Sequence, residues 1–138
     1  MIFTESFSLS AKGFCDVIDV TGKVEAAVAR SAAEKGIVTV FCPGSTCSLT
    51  TIEYEPGVVR DLARAIERIV PSNVPYEHDR RWGDGNGFSH VRAALLKASV
   101  SVPVLGRRLA LGTWQQIVFL DFDNRERTRE IIVQVVGE

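Results

Sequence analysis

Phe3, Phe7 and Leu9 fall at even spacing among polar residues, the two-residue period of a half-buried strand. A second short strand is predicted over residues 17–20. Thr21 then stands where it would cap a helix with Val24, Ala27, Val28 and Ala32 on one face and Ser31 beside them, and Gly36 stands where it would end that helix. Residues 37–42 and 48–54 are rich in β-branched and aromatic side chains and read as two strands separated by Pro43 and Gly44. From Gly57 to Val70 the apolar positions Val58, Val59, Leu62, Ile66, Ile69 and Val70 repeat with helical period until Pro71 stops them. This is the clearest helix in the chain.

Residues 71–88 mix prolines, glycines, charges and aromatics without a period and read as one long loop, which in a compact domain is usually functional. A third helix follows, with Ser89 as its cap and Val91, Ala94, Leu95 and Ala98 facing inward. Beyond it Val100, Val102 and Val104 alternate, Gly106 marks a turn into residues 108–111, and residues 117–122 and 131–136 read as buried strands joined by an exposed charged hairpin loop, 123–130. About three helices and seven or eight strands, with hairpins late in the chain, predict a single α+β domain of mixed or mostly antiparallel sheets rather than a doubly wound parallel fold.

Composition narrows this further. The 138 residues are 46% hydrophobic, enough for one core. Sixteen basic residues stand against 17 acidic ones, a net charge of −1, so no global field attracts nucleic acid or an anionic membrane, and any charged ligand must be held locally. No apolar run approaches the ~20 residues that span a bilayer, and the start MIFTESFSLS lacks a basic segment followed by an apolar one, so a cytoplasmic protein is expected. Cys15, Cys42 and Cys47 are odd in number and read as small core residues, not a disulfide framework.

The stretch PYEHDRRWGDGNGFSH, Pro75 to His90, gathers both histidines of the chain. Histidine titrates near neutrality and binds divalent metals, so His78 and His90 are the first candidates for proton transfer or ligation. Asp84 and Asn86 add an acceptor and an amide, and the alternating glycines let the backbone approach a ligand. The plain alternative is a surface loop whose polar groups satisfy its own backbone. The two histidines match no standard zinc spacing, and no third ligand accompanies them in sequence. Two further stretches carry polar groups. Pro43 to Gly57 holds Thr46 in a turn, with Glu53 and Glu55 two apart, where carboxylates on one strand face could share a proton or a cation. Arg108 to Asp123 sets Gly112, Thr113, Trp114, Gln115 and Gln116 at the entry of an apolar strand, where the alternative is a bulge with Trp114 in the core.

Taken in order and spacing, GSTCSLTTIEYEPG, YEHD, GDGNGFSH and LALGTWQQIVFLDFD resemble the YjbQ-like family, often described as secondary thiamine-phosphate synthase enzymes. The resemblance implies a small α+β fold assembled as a homotrimer, with a polar pocket near a subunit boundary. Matching positions place Thr46, Glu53, His78, Asp84, Asn86, His90 and Gln115 there, with Gly87 beside them. In this reading His78, His90, Glu53 and Asp84 do the chemistry, and Thr46, Asn86, Gly87 and Gln115 hold the substrate. Gly44 and Phe88 stand where the family commonly has histidines, so a metal on His78 and His90 would need a carboxylate, a cysteine or another subunit to complete it.

The activity the resemblance implies joins a thiazole phosphate to a pyrimidine diphosphate and releases pyrophosphate. The Gly-rich turn, Arg80, Arg81 or a divalent ion, zinc or magnesium, on Glu53 and Asp84 would steady that leaving group. Two alternatives are a metal-dependent hydrolase of a small phosphorylated metabolite, using His78, His90 and Glu53, and a non-catalytic trimeric binding protein for such a metabolite.

Overall fold

A computed structural model describes residues Met1–Glu138. Eight strands and four helices follow one another as β1 (Ile2–Ala11), β2 (Asp16–Asp19), α1 (Thr21–Ser31), β3 (Lys35–Phe41), β4 (Cys47–Ile52), α2 (Pro56–Ile69), α3 (Glu77–Trp82), α4 (Gly87–Leu96), β5 (Ser99–Leu105), β6 (Arg108–Leu109), β7 (Gln116–Asp121) and β8 (Arg127–Gly137). The strands form two sheets, ordered β1-β8-β3-β5-β6 and β2-β7-β4, and every pairing is antiparallel. The predicted α+β class holds.

Alternation along the strands builds the interior. Val38 and Val40 of β3, Val102 and Val104 of β5, and Ile131, Val133 and Val135 of β8 leave the large sheet on one face. They meet Leu49, Ile117 and Phe119 of the small sheet, and Val24, Ala27 and Val28 of α1 close the edge. The alternate residues of β7, Val118 and Leu120, point the other way into a second cluster with Val17, Phe122, Ile66 of α2 and Ala93 of α4. The small sheet is therefore covered on both faces, which is why β7 is continuously apolar. Layered on it, α4 lies against β4 and brings the Gly-rich stretch to that sheet's edge.

Several predicted boundaries move. Gly36 does not end α1. That helix ends at Ser31 with Ala32, exposed and in the left-handed conformation, as its C-cap, and Gly36 lies inside β3 opposite Gly137. A Cβ at Gly36 would sit 2.2 Å from the Val136 carbonyl oxygen, so close strand approach explains the glycine. Thr21 is the first helical residue and not the cap; its hydroxyl bonds Asp19 Oδ1 (2.7 Å) and accepts from Ile117 N–H (2.9 Å).

Tyr54 lies beyond β4, and β6 is only two residues long. Residues 123–130 are not an exposed hairpin loop: β7 and β8 belong to different sheets, β8 starts at Arg127, and Asp123 is 1% exposed. Trp114 is not core but 72% exposed.

The long loop 71–88 contains α3, six residues none of which is buried, so no apolar period marks it. Ser89 does not cap α4, which starts at Gly87 with Asn86 at the N-cap position. Its buried face is Phe88, Ser89, Arg92 and Ala93, while Val91, Ala94 and Leu95 are exposed. Arg92 misled the phase. It is buried because its guanidinium donates to the Val70 carbonyl (3.1 and 2.9 Å) and to Glu67 (2.5 Å), tying α4 to the end of α2, and it lies over the Phe88 ring.

Candidate functional site

The loop between α3 and α4 aligns the two histidines. Gly83 and Gly85 take positive φ, +66° and +62°, and fold the chain back so that α4 begins beside α3. Asp79 Oδ1 accepts the Gly87 N–H at 2.8 Å, and a Cβ on Gly87 would come within 2.6 Å of Tyr76 Cβ. Only a glycine lets the two helices close in this way. The His78 and His90 rings then stack with centroids 4.3 Å apart, tilted by 35°.

Around His78 the donors converge. Its Nδ1 lies 3.4 Å from Asp84 Oδ1 and 3.9 Å from Asp79 Oδ1, and it is buried without a hydrogen-bond partner. One ligand atom from each of His78, Asp79 and Asp84 falls within 4.8 Å of the others, and no other group of three in the chain does so. A buried, unpartnered imidazole nitrogen beside two carboxylates suits a divalent cation. Asp79 takes the place in this cluster that the sequence reading gave to His90.

Asn86 holds the turn rather than facing solvent. Its Oδ1 accepts from Ser89 Oγ and from Asn124 N–H (3.2 Å), its own N–H donates to Asp84 Oδ1 (3.2 Å), and Asn124 Nδ2 donates to the Asp84 carbonyl (2.8 Å). The link between β7 and β8 thus buttresses the Gly-rich turn. From that link a buried charge network reaches Thr46. The Thr46 hydroxyl donates to Asp123 Oδ2 (2.9 Å) and accepts from Arg129 Nη2 (2.7 Å). Arg129 grips Asp121 through two bonds (2.7 and 3.0 Å), and Arg127 reaches Asp123 at 3.1 Å. Burial opposes ionisation of Asp123, yet the Thr46 hydroxyl and Arg127 hold its carboxyl below the usual value. Asp123 Oδ1 remains buried and unpaired.

Burial, reinforced by the neighbouring His78, pushes His90 below the ordinary imidazole value, with Asp84 and Asp123 opposing. His90 is therefore neutral at pH 7 and free to accept a proton. It lines a cavity of about 370 Å³ shared with Gly44, Ser45, Cys47 and Lys97.

Two predicted site residues lie elsewhere. Thr46 precedes β4 and Glu53 follows it, so they stand at opposite ends of a strand about 20 Å long. Glu53 borders a separate surface depression with Tyr54, Thr113 and Trp114. Gln115 donates to Thr51 (3.1 Å) at that same end. Glu53 and Glu55 do not form a carboxylate pair, because Glu55 caps α2, accepting from Gly57 N–H (2.7 Å) and Val58 N–H (2.9 Å). The structure thus brings together His78, His90, Asp84, Asn86, Gly87 and Thr46, and leaves Glu53 and Gln115 apart within one chain. Asp79, Asp123 and Arg129 are the residues that sequence reasoning missed.

Residues 5–138 match the family model described as UPF0047 protein YjbQ-like. The chain belongs to this family. A UPF0047 protein of Archaeoglobus fulgidus is 42% identical over 121 residues, covering 88% of this chain and 91% of its own length. The UPF0047 protein YugU of Bacillus subtilis is 34% identical over 124 residues, 88% of this chain and 90% of its own. Among solved structures, a protein of unknown function from Sulfolobus solfataricus superposes with a TM-score of 0.94 at 28% identity, over 100% of this chain and 99% of its own. A hypothetical protein from Aeropyrum pernix K1 gives 0.90 at 32% identity, over 98% of each chain. The α+β fold is that of YjbQ-like proteins, and no helix is long and apolar enough to cross a membrane.

Proposed function

We propose that this YjbQ-like protein is an enzyme that acts on a small phosphorylated metabolite with the help of a divalent cation at His78, Asp79 and Asp84. The observation that carries this reading is the His78 Nδ1, buried without a partner and flanked by two carboxylates at 3.4 and 3.9 Å. Magnesium or zinc bound there would offset phosphate charge and polarise a phosphoryl oxygen. The protein's own residues supply the rest. His90, neutral and stacked 4.3 Å from His78, accepts the proton of an attacking group. The cavity beside it places Lys97 and the turn at Ser45 within reach of a bound anion. Asn86 and Asp123 keep the turn and the floor of the site rigid.

Coupling of a thiazole phosphate to a pyrimidine diphosphate belongs to this class of chemistry, because its leaving pyrophosphate needs the same charge stabilisation. Glu53 and Gln115 enter if the protein is a homotrimer in which each copy offers that edge to a neighbour's histidines. The exposure of Trp114 beside Gln115 supports such a contact.

The test is chelator-treated protein assayed against phosphate monoesters, pyrophosphates and the thiazole and pyrimidine pair, with and without added magnesium, manganese or zinc. Turnover restored by metal and reduced at least about a hundredfold in His90→Gln is expected, since general base catalysis contributes on that order. Metal-independent turnover overturns the cation, and ligand binding without product overturns the enzyme in favour of a binding protein.

A further inference from the structure

Helix α4 ends at Leu96 and β5 begins at Ser99, so Lys97 and Ala98 make the whole connection. Lys97 turns the chain at φ +71° and ψ +164°. Its N–H still closes the helix on the Ala93 carbonyl (2.8 Å), its carbonyl accepts from Leu49 N–H (3.3 Å), and the Ala98 carbonyl accepts from Cys42 N–H (2.9 Å). Backbone bonds on both sides therefore fix this conformation. Ala32, which also caps a helix at positive φ, lies at φ +59° and ψ +11°, in the left-handed region that side chains visit at helix ends. The conformation of Lys97 is one that only glycine adopts without strain. A lysine is held where a glycine would fit better, and backbone strain of this kind concentrates at functional positions.

Its surroundings say what the side chain does there. Lys97 is exposed and enters none of the chain's ion pairs. It lines the cavity of about 370 Å³ together with Gly44, Ser45 and His90, and no carboxylate lines that cavity. Arg129 stands behind Gly44, where a Cβ would come 3.3 Å from its Nη1. The bonds of Arg129 to Asp121 and Thr46 use Nε and Nη2 (2.7 to 3.0 Å) and leave Nη1 without an acceptor. With His90 neutral, Lys97 and Arg129 supply the positive charge on this side of the molecule's site.

We propose that Lys97 sets specificity for a phosphate group, which its ammonium, the Ser45 hydroxyl and Arg129 Nη1 bind in the His90 cavity. The ammonium is a compact charge on a flexible stem and follows a phosphate into place, while the guanidinium is already fixed by Asp121 and Thr46. With a net charge of −1 the chain has no general attraction for anions, so the charge has to be placed at the cavity itself. Some stability of the α4–β5 connection is given up to put it there. The proposal rests on the reading of this cavity as the seat of a phosphorylated substrate, but it needs no cation at His78.

The test titrates chelator-treated protein with inorganic phosphate, followed by phosphorus NMR, and measures thermal unfolding without phosphate. Lys97→Gly relieves the backbone and removes the charge. Its melting temperature should rise by about 3 °C while phosphate affinity falls at least about tenfold. Lys97→Ala keeps the strained backbone, so it should lose the same affinity without that gain in stability, and Lys97→Arg should retain binding. Phosphate bound equally well by Lys97→Gly, a Lys97→Gly protein no more stable than the wild type, or no phosphate binding by the wild type would each overturn the proposal and leave the cation at His78 standing. Metal-independent turnover would remove that cation and leave the phosphate site in place.

Discussion

His90 shows how one side chain's surroundings set its chemistry. Because burial and His78 lower its proton affinity in the fold, the unfolded chain binds a proton that the native state refuses. The sign follows: stability rises with pH through the region around the unfolded value of 6.5 and falls on acidification below it. An NMR titration of the two imidazoles is expected to place the His90 midpoint below 6.5. A midpoint above it would show that the carboxylates of Asp84 and Asp123 dominate. Asp121 makes a second case. It is fully buried against Arg129, so Asp121→Ala leaves the guanidinium with only the Asp123 carboxylate, 3.7 Å away, and is expected to cost about 3 kcal/mol in urea denaturation. The histidines, Asp84 and Asn86 were legible in the sequence because rare residue types cluster between glycines. Asp79, Asp123 and Arg129 were not, since a carboxylate in a charged stretch reads as solvated until the fold shows what it faces.

The same limit governs the helices and strands. The period of α2 was readable over its 14 residues, whereas α3, at six residues, is defined by Asp79 and the Gly87 N–H rather than by any apolar repeat. Helix α4 was read in the wrong phase because its inner face includes Arg92, and a charged residue there is intelligible only once the carbonyl of Val70 is in place. The strands β7 and β8 were both recognised, but their joining as a hairpin was not testable by pattern, since apolar runs do not say which sheet they enter. The contact between α3 and α4 carries its own prediction. Gly87→Ala must displace Tyr76, whose Cβ would be 2.6 Å away, at a cost of about 1–3 kcal/mol. Thermal unfolding and cation affinity should both fall, whereas Gly22→Ala, where a Cβ meets nothing within 4 Å, should leave cation affinity unchanged.

Across the assembled chain, two sheets and one helical layer place the histidine pair at one end of β4 and Glu53 with Gln115 at the other. A homotrimer that closes this gap predicts complementation. Inactive His90→Ala and Glu53→Ala proteins, unfolded together and refolded as mixed trimers, should regain about a quarter of wild-type turnover, because each site then draws one intact half from each variant at random. Light scattering would report the trimer independently, and a monomer with full activity would remove Glu53 from the site. The cation at His78, Asp79 and Asp84 is the most direct claim to measure. Calorimetric titration of manganese into chelator-treated protein should give one site per chain, with affinity reduced at least about tenfold in His78→Ala or Asp84→Asn, as loss of a ligand or its supporting group does. Unchanged heat in those variants, or no binding by the wild type, would contradict it.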